Sequence, residues 1–240
     1  MTPDFARVLA GVRAVVLDAG NTILSINYGF LSDALAACGV AREPDRVREA
    51  EWRARPLFDR RLAEIRSTET KLAFRAYFDE VLRCLGVPEG AAADAAYERV
   101  AEYNARGNLW DVPMPGAREA MHDIAASGLE VGVISNSRGT IAEHLASLRL
   151  SDDLAFVIDS GVVGIEKPDA RIFALAAERL ALPPDACLYA GDIYSVDVVG
   201  ARGAGWRAVL VDPAGAFKER DCPRVRDVAH LRDALLGRGS

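Results

Sequence analysis

Five short runs of the chain are apolar without alternating: Ala14-Val-Val-Leu17, Val131-Gly-Val-Ile-Ser135, Phe156-Val-Ile158, Cys187-Leu-Tyr-Ala190 and Ala208-Val-Leu-Val211. Each is bounded by Gly, Asp, Ser or Asn. Continuous apolar runs of this length fit strands buried on both faces, as in a parallel sheet covered by helices. Helical patterns separate the later four. Pro115 to Ser127 carries Ala117, Ala120, Met121 and Ile124 at helical spacing. Thr140-Ile-Ala-Glu143 has the form of a capping box opening a helix to about Leu148. Pro168 suits the first position of a helix through Leu180, with Ile172, Leu175, Ala176 and Leu180 inward. Ser195 to Ala204 reads as a short helix stopped by Gly205. This β-α alternation predicts an α/β fold, a Rossmann-like doubly wound parallel sheet.

The stretch between the first two runs breaks the pattern. From Ile26 to Leu109 no strand is evident. Leu31, Leu35 and Cys38 lie at helical spacing, as do Phe74, Phe78, Val81 and Leu85, and Ala91 to Ala105 is Ala-rich. The expectation is an inserted all-helical cap, residues 25–112, in a discontinuous core of residues 1–24 and 113–240. Gly107, Pro113 and Pro115-Gly116 mark a hinge at its return. No internal repeat is visible.

Composition narrows the partners. The 240 residues carry 29 Lys+Arg against 35 Asp+Glu, a formal charge of −6. With an isoelectric point near 5.2, the chain is a poor nucleic-acid binder, because duplex binding wants a concentrated basic surface. No apolar stretch is long enough for a membrane span. The start lacks the basic and apolar segments of a secretory signal, so a cytoplasmic setting is expected. Cys38, Cys84, Cys187 and Cys222 share no metal-binding spacing and read as free thiols. His122, His144 and His230 fall in helical segments. Gly200-Ala-Arg-Gly203-Ala-Gly205 lies within a helix and its end, which suggests close packing, not a dinucleotide fingerprint. Only Lys71, Lys167 and Lys218 are lysines, so a lysine within a motif stands out.

Ligands of open parallel sheets bind at the carboxyl ends of the strands. Those ends read Asp18-Ala-Gly20-Asn21-Thr22, then Ser135-Asn136, then Lys167-Pro168 after the third run, then Gly191-Asp192 with Asp197 beyond. Carboxylates in this number suit Mg²⁺, which takes one or two and keeps several waters. A carboxylate beside Mg²⁺ and a lysine is also what aspartyl-phosphate chemistry needs. Taken in order, this set resembles the haloacid dehalogenase superfamily of phosphohydrolases. The resemblance spans essentially the whole chain, and the helical insertion resembles that superfamily's C1-type cap.

The resemblance implies a role for each residue. Asp18 would be the nucleophile, forming a phospho-aspartate. Mg²⁺ would be held by Asp18, the Gly20 backbone carbonyl and Asp192. Ser135 would hold a phosphoryl oxygen, with Asn21, Thr22 and Asn136 lining the same substrate site. Lys167 would neutralise charge on Asp18 and the transferring group, and Asp197 would orient Lys167 or the metal waters. The substrate would be a small phosphorylated molecule admitted by an opening and closing cap. Tyr28, Phe30, Trp52, Arg53 and Arg60 are candidate cap contributors to specificity. The chain departs from the family at one place. Phosphatases of the superfamily place a second aspartate two residues after the nucleophile, as general acid and base, and here that position is Gly20. Such help is worth ~10²–10⁴-fold. The readings left open are a phosphatase with another proton donor or a good leaving group, such as an acyl phosphate; a phosphonatase-like enzyme using Lys71; a dehalogenase, against which Asp192 argues because those relatives carry Ser there; and a non-catalytic binding protein of the same fold.

Overall fold

In a computed structural model the structure describes residues 3–218 and 220–238. The chain divides into two compact units, one running up to Leu24 and resuming at Pro113, the other Ser25–Val112. The first is built on a six-stranded, all-parallel sheet. Its strands are β1 (Ala14–Leu17), β4 (Glu130–Ser135), β5 (Phe156–Asp159), β6 (Cys187–Gly191), β7 (Arg207–Val211) and β8 (Arg224–Val225), in the order β5-β4-β1-β6-β7-β8. Two further short strands, β2 (Leu24–Ser25) and β3 (Val112–Pro113), pair as a ribbon where the chain leaves this unit and returns.

The helices, in chain order, are α1 (Pro3–Leu9), α2 (Tyr28–Ala36), α3 (Pro44–Ile65), α4 (Lys71–Cys84), α5 (Ala91–Arg106), α6 (Ala117–Ala126), α7 (Ile141–Ser147), α8 (Ser160–Val163), α9 (Ala170–Leu180), α10 (Val199–Gly203) and α11 (Val228–Leu235). All four residues of β1 are wholly buried. Val16, Ile134 and Tyr189 point to one face, packed with Phe173 of α9, Ala201 of α10 and Trp206. Successive strand residues face opposite ways. Val15, Leu17, Val131 and Val133 therefore point to the other face, and they are equally buried. Covered on both faces, such strands need no polar alternation, which explains their continuous apolar runs.

Local details differ from the sequence pattern where tertiary contacts compete. Thr140 stands at the start of α7 but makes no side-chain cap. The Ile141 N–H donates instead to the Asp159 carboxylate, 3.1 Å away. Helix α9 is capped by Asp169, whose side chain accepts from the Arg171 N–H, so Pro168 lies before the cap and not at the first helical position. The expected helix from Ser195 is split: a π-turn over Tyr194–Val198 precedes α10. Gly200 is placed by packing, since a Cβ there would lie 2.9 Å from Pro168 Cα.

The second unit holds α2 to α5, and no strand occurs among its residues between Ile26 and Leu109. Its centre is polar. The Glu51 carboxylate accepts from Arg55 Nε and Nη2 at 2.6 and 2.8 Å, from the Tyr28 hydroxyl at 2.9 Å and from the Tyr77 hydroxyl at 2.5 Å. Glu51 and Arg55 are wholly buried. A buried charge pair is costly unless its remaining polar atoms are satisfied, and the two tyrosines do this for the Glu51 carboxylate. Phe58 packs edge-on to Tyr77 beside it.

Candidate active site

The parallel register sets the site. Val16 pairs with Gly132 on one side and with Tyr189 on the other, so β1, β4 and β6 end side by side. The residues that follow, Asp18, Ser135–Asn136 and Asp192, stand at one edge of the sheet. The Asp18 N–H donates to the Ala190 carbonyl at 2.8 Å, fixing the start of the first loop to β6. That loop turns tightly, with the N–H groups of Ile23 and Leu24 donating to the Ala19 carbonyl at 3.0 and 2.9 Å. Asn21 adopts a left-handed backbone, φ +56°, which asparagine tolerates better than most side chains. From there its amide donates to Asp192 Oδ2 at 3.1 Å. Thr22 Oγ1 is buried and makes no hydrogen bond among the described residues.

Lys167 is the hub, only 3% exposed. Its ammonium donates to Asp18 Oδ1 at 2.6 Å, to Asp197 Oδ1 at 2.7 Å and to the Tyr189 hydroxyl at 2.7 Å. An ammonium has three N–H donors, and each is used once. Asn136 clamps the lysine's backbone: its Nδ2 donates to the Lys167 carbonyl at 3.0 Å and its Oδ1 accepts the Lys167 N–H at 2.8 Å. Its side-chain amide thus serves the lysine's backbone. Ser135 Oγ makes a long contact, 3.4 Å, to the Asn136 carbonyl.

Asp197 reaches back from the π-turn. Oδ1 takes the lysine and Oδ2 accepts the Ile193 N–H at 2.9 Å. Both its oxygens hold protein groups, so its geometry suits orienting Lys167. Gly191 makes room for it, because a Cβ there would lie 2.4 Å from Asp197 Cγ.

Electrostatics follow from burial. Desolvation raises the Asp18 carboxyl to about 6, with the Lys167 ammonium opposing and the Asp197 charge assisting. Burial works against the Lys167 charge too, yet Asp18 and Asp197 hold it well above the ordinary lysine range. Asp18, Asp192 and Asp197 each bring a carboxylate oxygen within 4.8 Å of the others. Three buried carboxylates that bring oxygens this close offer a hard-oxygen donor set, which fits Mg²⁺.

The remaining residues singled out by sequence are described by their contacts within their own units. Lys71 is exposed at the first residue of α4, without the desolvation that activates a Schiff-base lysine. In the helical unit, Phe30 stacks on Tyr103 at 3.8 Å, Arg53 donates to the Cys84 carbonyl and Arg60 to the Pro56 carbonyl. Trp52 is half-buried in α3. Tyr28 is held by Glu51. His122 meets Asp153 at the surface, and the four cysteines are free. Tyr189 is the site residue that sequence reading passed over, because a tyrosine inside an apolar strand reads as core. Its one signal was position, two residues before Gly191 at the strand end. Among the described residues no helix is long and apolar enough to cross a membrane.

Comparison with known proteins places this geometry. Residues 12–205 match the haloacid dehalogenase-like hydrolase family. The chain is 31% identical over 159 residues to haloacid dehalogenase-like hydrolase domain-containing protein 3 of Mus musculus, covering 64% of this chain and 63% of that one. It is 35% identical over 111 residues to a glyceraldehyde 3-phosphate phosphatase of Methanothermobacter thermautotrophicus, covering 45% and 49%. The matched segment thus spans between about half and two thirds of these relatives. Among solved structures, a magnesium-bound hydrolase, YfnB, of Bacillus subtilis has the same fold, with a TM-score of 0.62, 17% identity, and coverage of 94% of this chain and 99% of that one.

Proposed function

The chain belongs to the haloacid dehalogenase-like hydrolase family, and from that premise we propose that it hydrolyses a small phosphorylated metabolite with Mg²⁺, through a phospho-aspartate on Asp18. The observation that carries this reading is the Lys167 ammonium fixed 2.6 Å from Asp18 Oδ1 beside Asp192. A carboxylate nucleophile must approach a negatively charged phosphoryl group, and the lysine offsets that repulsion. Asp18, the Gly20 carbonyl and Asp192 would hold the metal, which when bound screens charge between carboxylate and phosphoryl oxygens. Asp18 attacks phosphorus in line, the bond to the leaving oxygen breaks, and that oxygen departs with the electron pair. Water then attacks the phosphorus of the acyl phosphate, releasing inorganic phosphate and restoring the carboxylate. The Thr22 hydroxyl, buried and without a hydrogen bond among the described residues, and Ser135 are suited to hold phosphoryl oxygens, with Asn21 and the backbone N–H of Asn136 beside them.

Gly20 sets the substrate preference. It supplies no proton to the leaving oxygen, so alkoxide departure is slow and departure of a carboxylate, already a stable anion, is not. An acyl phosphate is therefore favoured over an alkyl phosphate. The test is a Mg²⁺-dependent phosphatase assay on acetyl phosphate and on an alkyl phosphate, for the wild type, Asp18→Asn and Gly20→Asp. Asp18→Asn is expected to abolish turnover and the phospho-aspartate adduct seen by mass spectrometry. Gly20→Asp is expected to raise alkyl phosphate hydrolysis by ~10²-fold or more. Turnover that survives in Asp18→Asn removes the nucleophile. A wild type that binds phosphate yet neither turns over nor forms the adduct makes this a binding protein of the same fold.

A further inference from the structure

We infer that Tyr189 is a positioning residue for Lys167, the neutral third anchor that fixes the ammonium in the site. The inference rests on the function proposed above. Tyr189 is wholly buried on β6, and its ring packs edge-on to Phe173 at 5.1 Å. Its hydroxyl accepts from the Lys167 ammonium at 2.7 Å and donates to the Ile134 carbonyl at 2.9 Å. One oxygen thus ties the lysine to the end of β4, the residue before Ser135. A pure core position gains nothing from a hydroxyl; phenylalanine would fill the same space without a buried polar atom to satisfy. The hydroxyl is instead engaged on both sides.

The arrangement also ranks the lysine's three bonds. All three have an ionised donor and are charge-assisted; two also have an ionised acceptor, a carboxylate, and are the stronger for it. The two carboxylates alone leave the ammonium free to swing about the line between them. The phenol closes the third direction. It is also the contact most easily surrendered when a phosphoryl oxygen approaches. Tyr189 therefore holds the lysine in register without neutralising its charge, which a third carboxylate would do.

The experiment compares Tyr189→Phe with Phe173→Leu, which disturbs the same ring packing but leaves the hydroxyl. Two readouts are taken. The first is kcat and KM on acetyl phosphate with Mg²⁺. Tyr189→Phe is expected to lower kcat roughly tenfold to a hundredfold, the scale of one hydrogen bond to a charged group, with KM within about twofold. The second needs no activity. Because the chain has only three lysines, ¹⁵N-lysine labelling gives a short spectrum in which Lys167 is assigned by its own Lys167→Arg variant. The buried ammonium is expected to give a slowly exchanging signal that shifts or broadens in Tyr189→Phe and stays in place in Phe173→Leu. An unmoved Lys167 signal in Tyr189→Phe overturns the inference. So does an equal kcat loss in both variants, which would make the residue a packing element. If the wild type hydrolyses nothing, the proposed function fails while the lysine signal still decides for or against the anchor.

Discussion

At the scale of the residue, the site is a contest between burial and charge. Asp18 is 8% exposed, and desolvation outweighs the lysine beside it, lifting its carboxyl to about 6 from an ordinary 3.8. In metal-free protein the folded state then binds more protons than the unfolded chain between those two values. Its stability contribution is present at low pH and is lost as pH rises through that window. A divalent cation favours the carboxylate and reverses the shift. A ¹³C titration of the Asp18 carboxyl is expected to centre near 6 without Mg²⁺ and well below it with Mg²⁺. A metal-free midpoint at the ordinary value would mean that Lys167, not desolvation, governs Asp18. The sequence could disclose that Asp18, Lys167 and Asp192 fall near strand ends, because each polar residue stands after an apolar run. It could not disclose where an amide points. The Asn136 side chain holds the Lys167 backbone, an arrangement no spacing along the chain reveals.

At the scale of the element, what matters is how β6 hands the chain to α10. The five residues Tyr194–Val198 form a π-turn, which widens the coil and returns Asp197 toward Lys167. Such turns recur at functional sites. The spacing of apolar residues predicts a plain helix here because period alone carries no trace of a widened turn. The same limit applies at α7, where Thr140 has the cap sequence but Asp159 supplies the bond from 18 residues away. The strands were legible since burial on both faces leaves a continuous apolar signature, whereas β8, two residues long, leaves none. The π-turn depends on Gly191. Substituting Gly191→Ala places a Cβ 2.4 Å from Asp197 Cγ in a buried setting with no flexible end to yield. Overpacking of this kind costs ~1–3 kcal/mol. Urea unfolding is expected to show that loss, and turnover is expected to fall with it as Asp197 lets go of the lysine. A variant as stable as the wild type would show that the turn relaxes freely and that Asp197 is not held by this packing.

At the scale of the whole molecule, two compact units carry two separate buried charge networks. One surrounds Lys167 in the sheet unit; the other is Glu51–Arg55 with Tyr28 and Tyr77 in the helical unit. They differ in charge balance. Around Lys167 three carboxylates exceed one cation. Around Arg55 the Glu51 carboxylate and two hydroxyls meet the guanidinium, with the buried Asp59 one turn further along α3, and among the described residues only Asp18, Asp192 and Asp197 gather as three carboxylates. Added Mg²⁺ should therefore act on one network alone. Hydrogen exchange reads this region by region, because each amide reports the opening that exposes it. Mg²⁺ is expected to slow exchange across Asp18–Thr22 and Gly191–Asp197 and to leave α3 and α4 unchanged. Glu51→Gln strips the carboxylate from a buried guanidinium, a change that costs ~3–5 kcal/mol when a buried pair is broken. It is expected to speed exchange in α3 and α4 while the Mg²⁺ protection at Asp18–Thr22 persists. If that protection vanishes in Glu51→Gln, the helical unit's core controls the response at Asp18, and the two networks are one cooperative system.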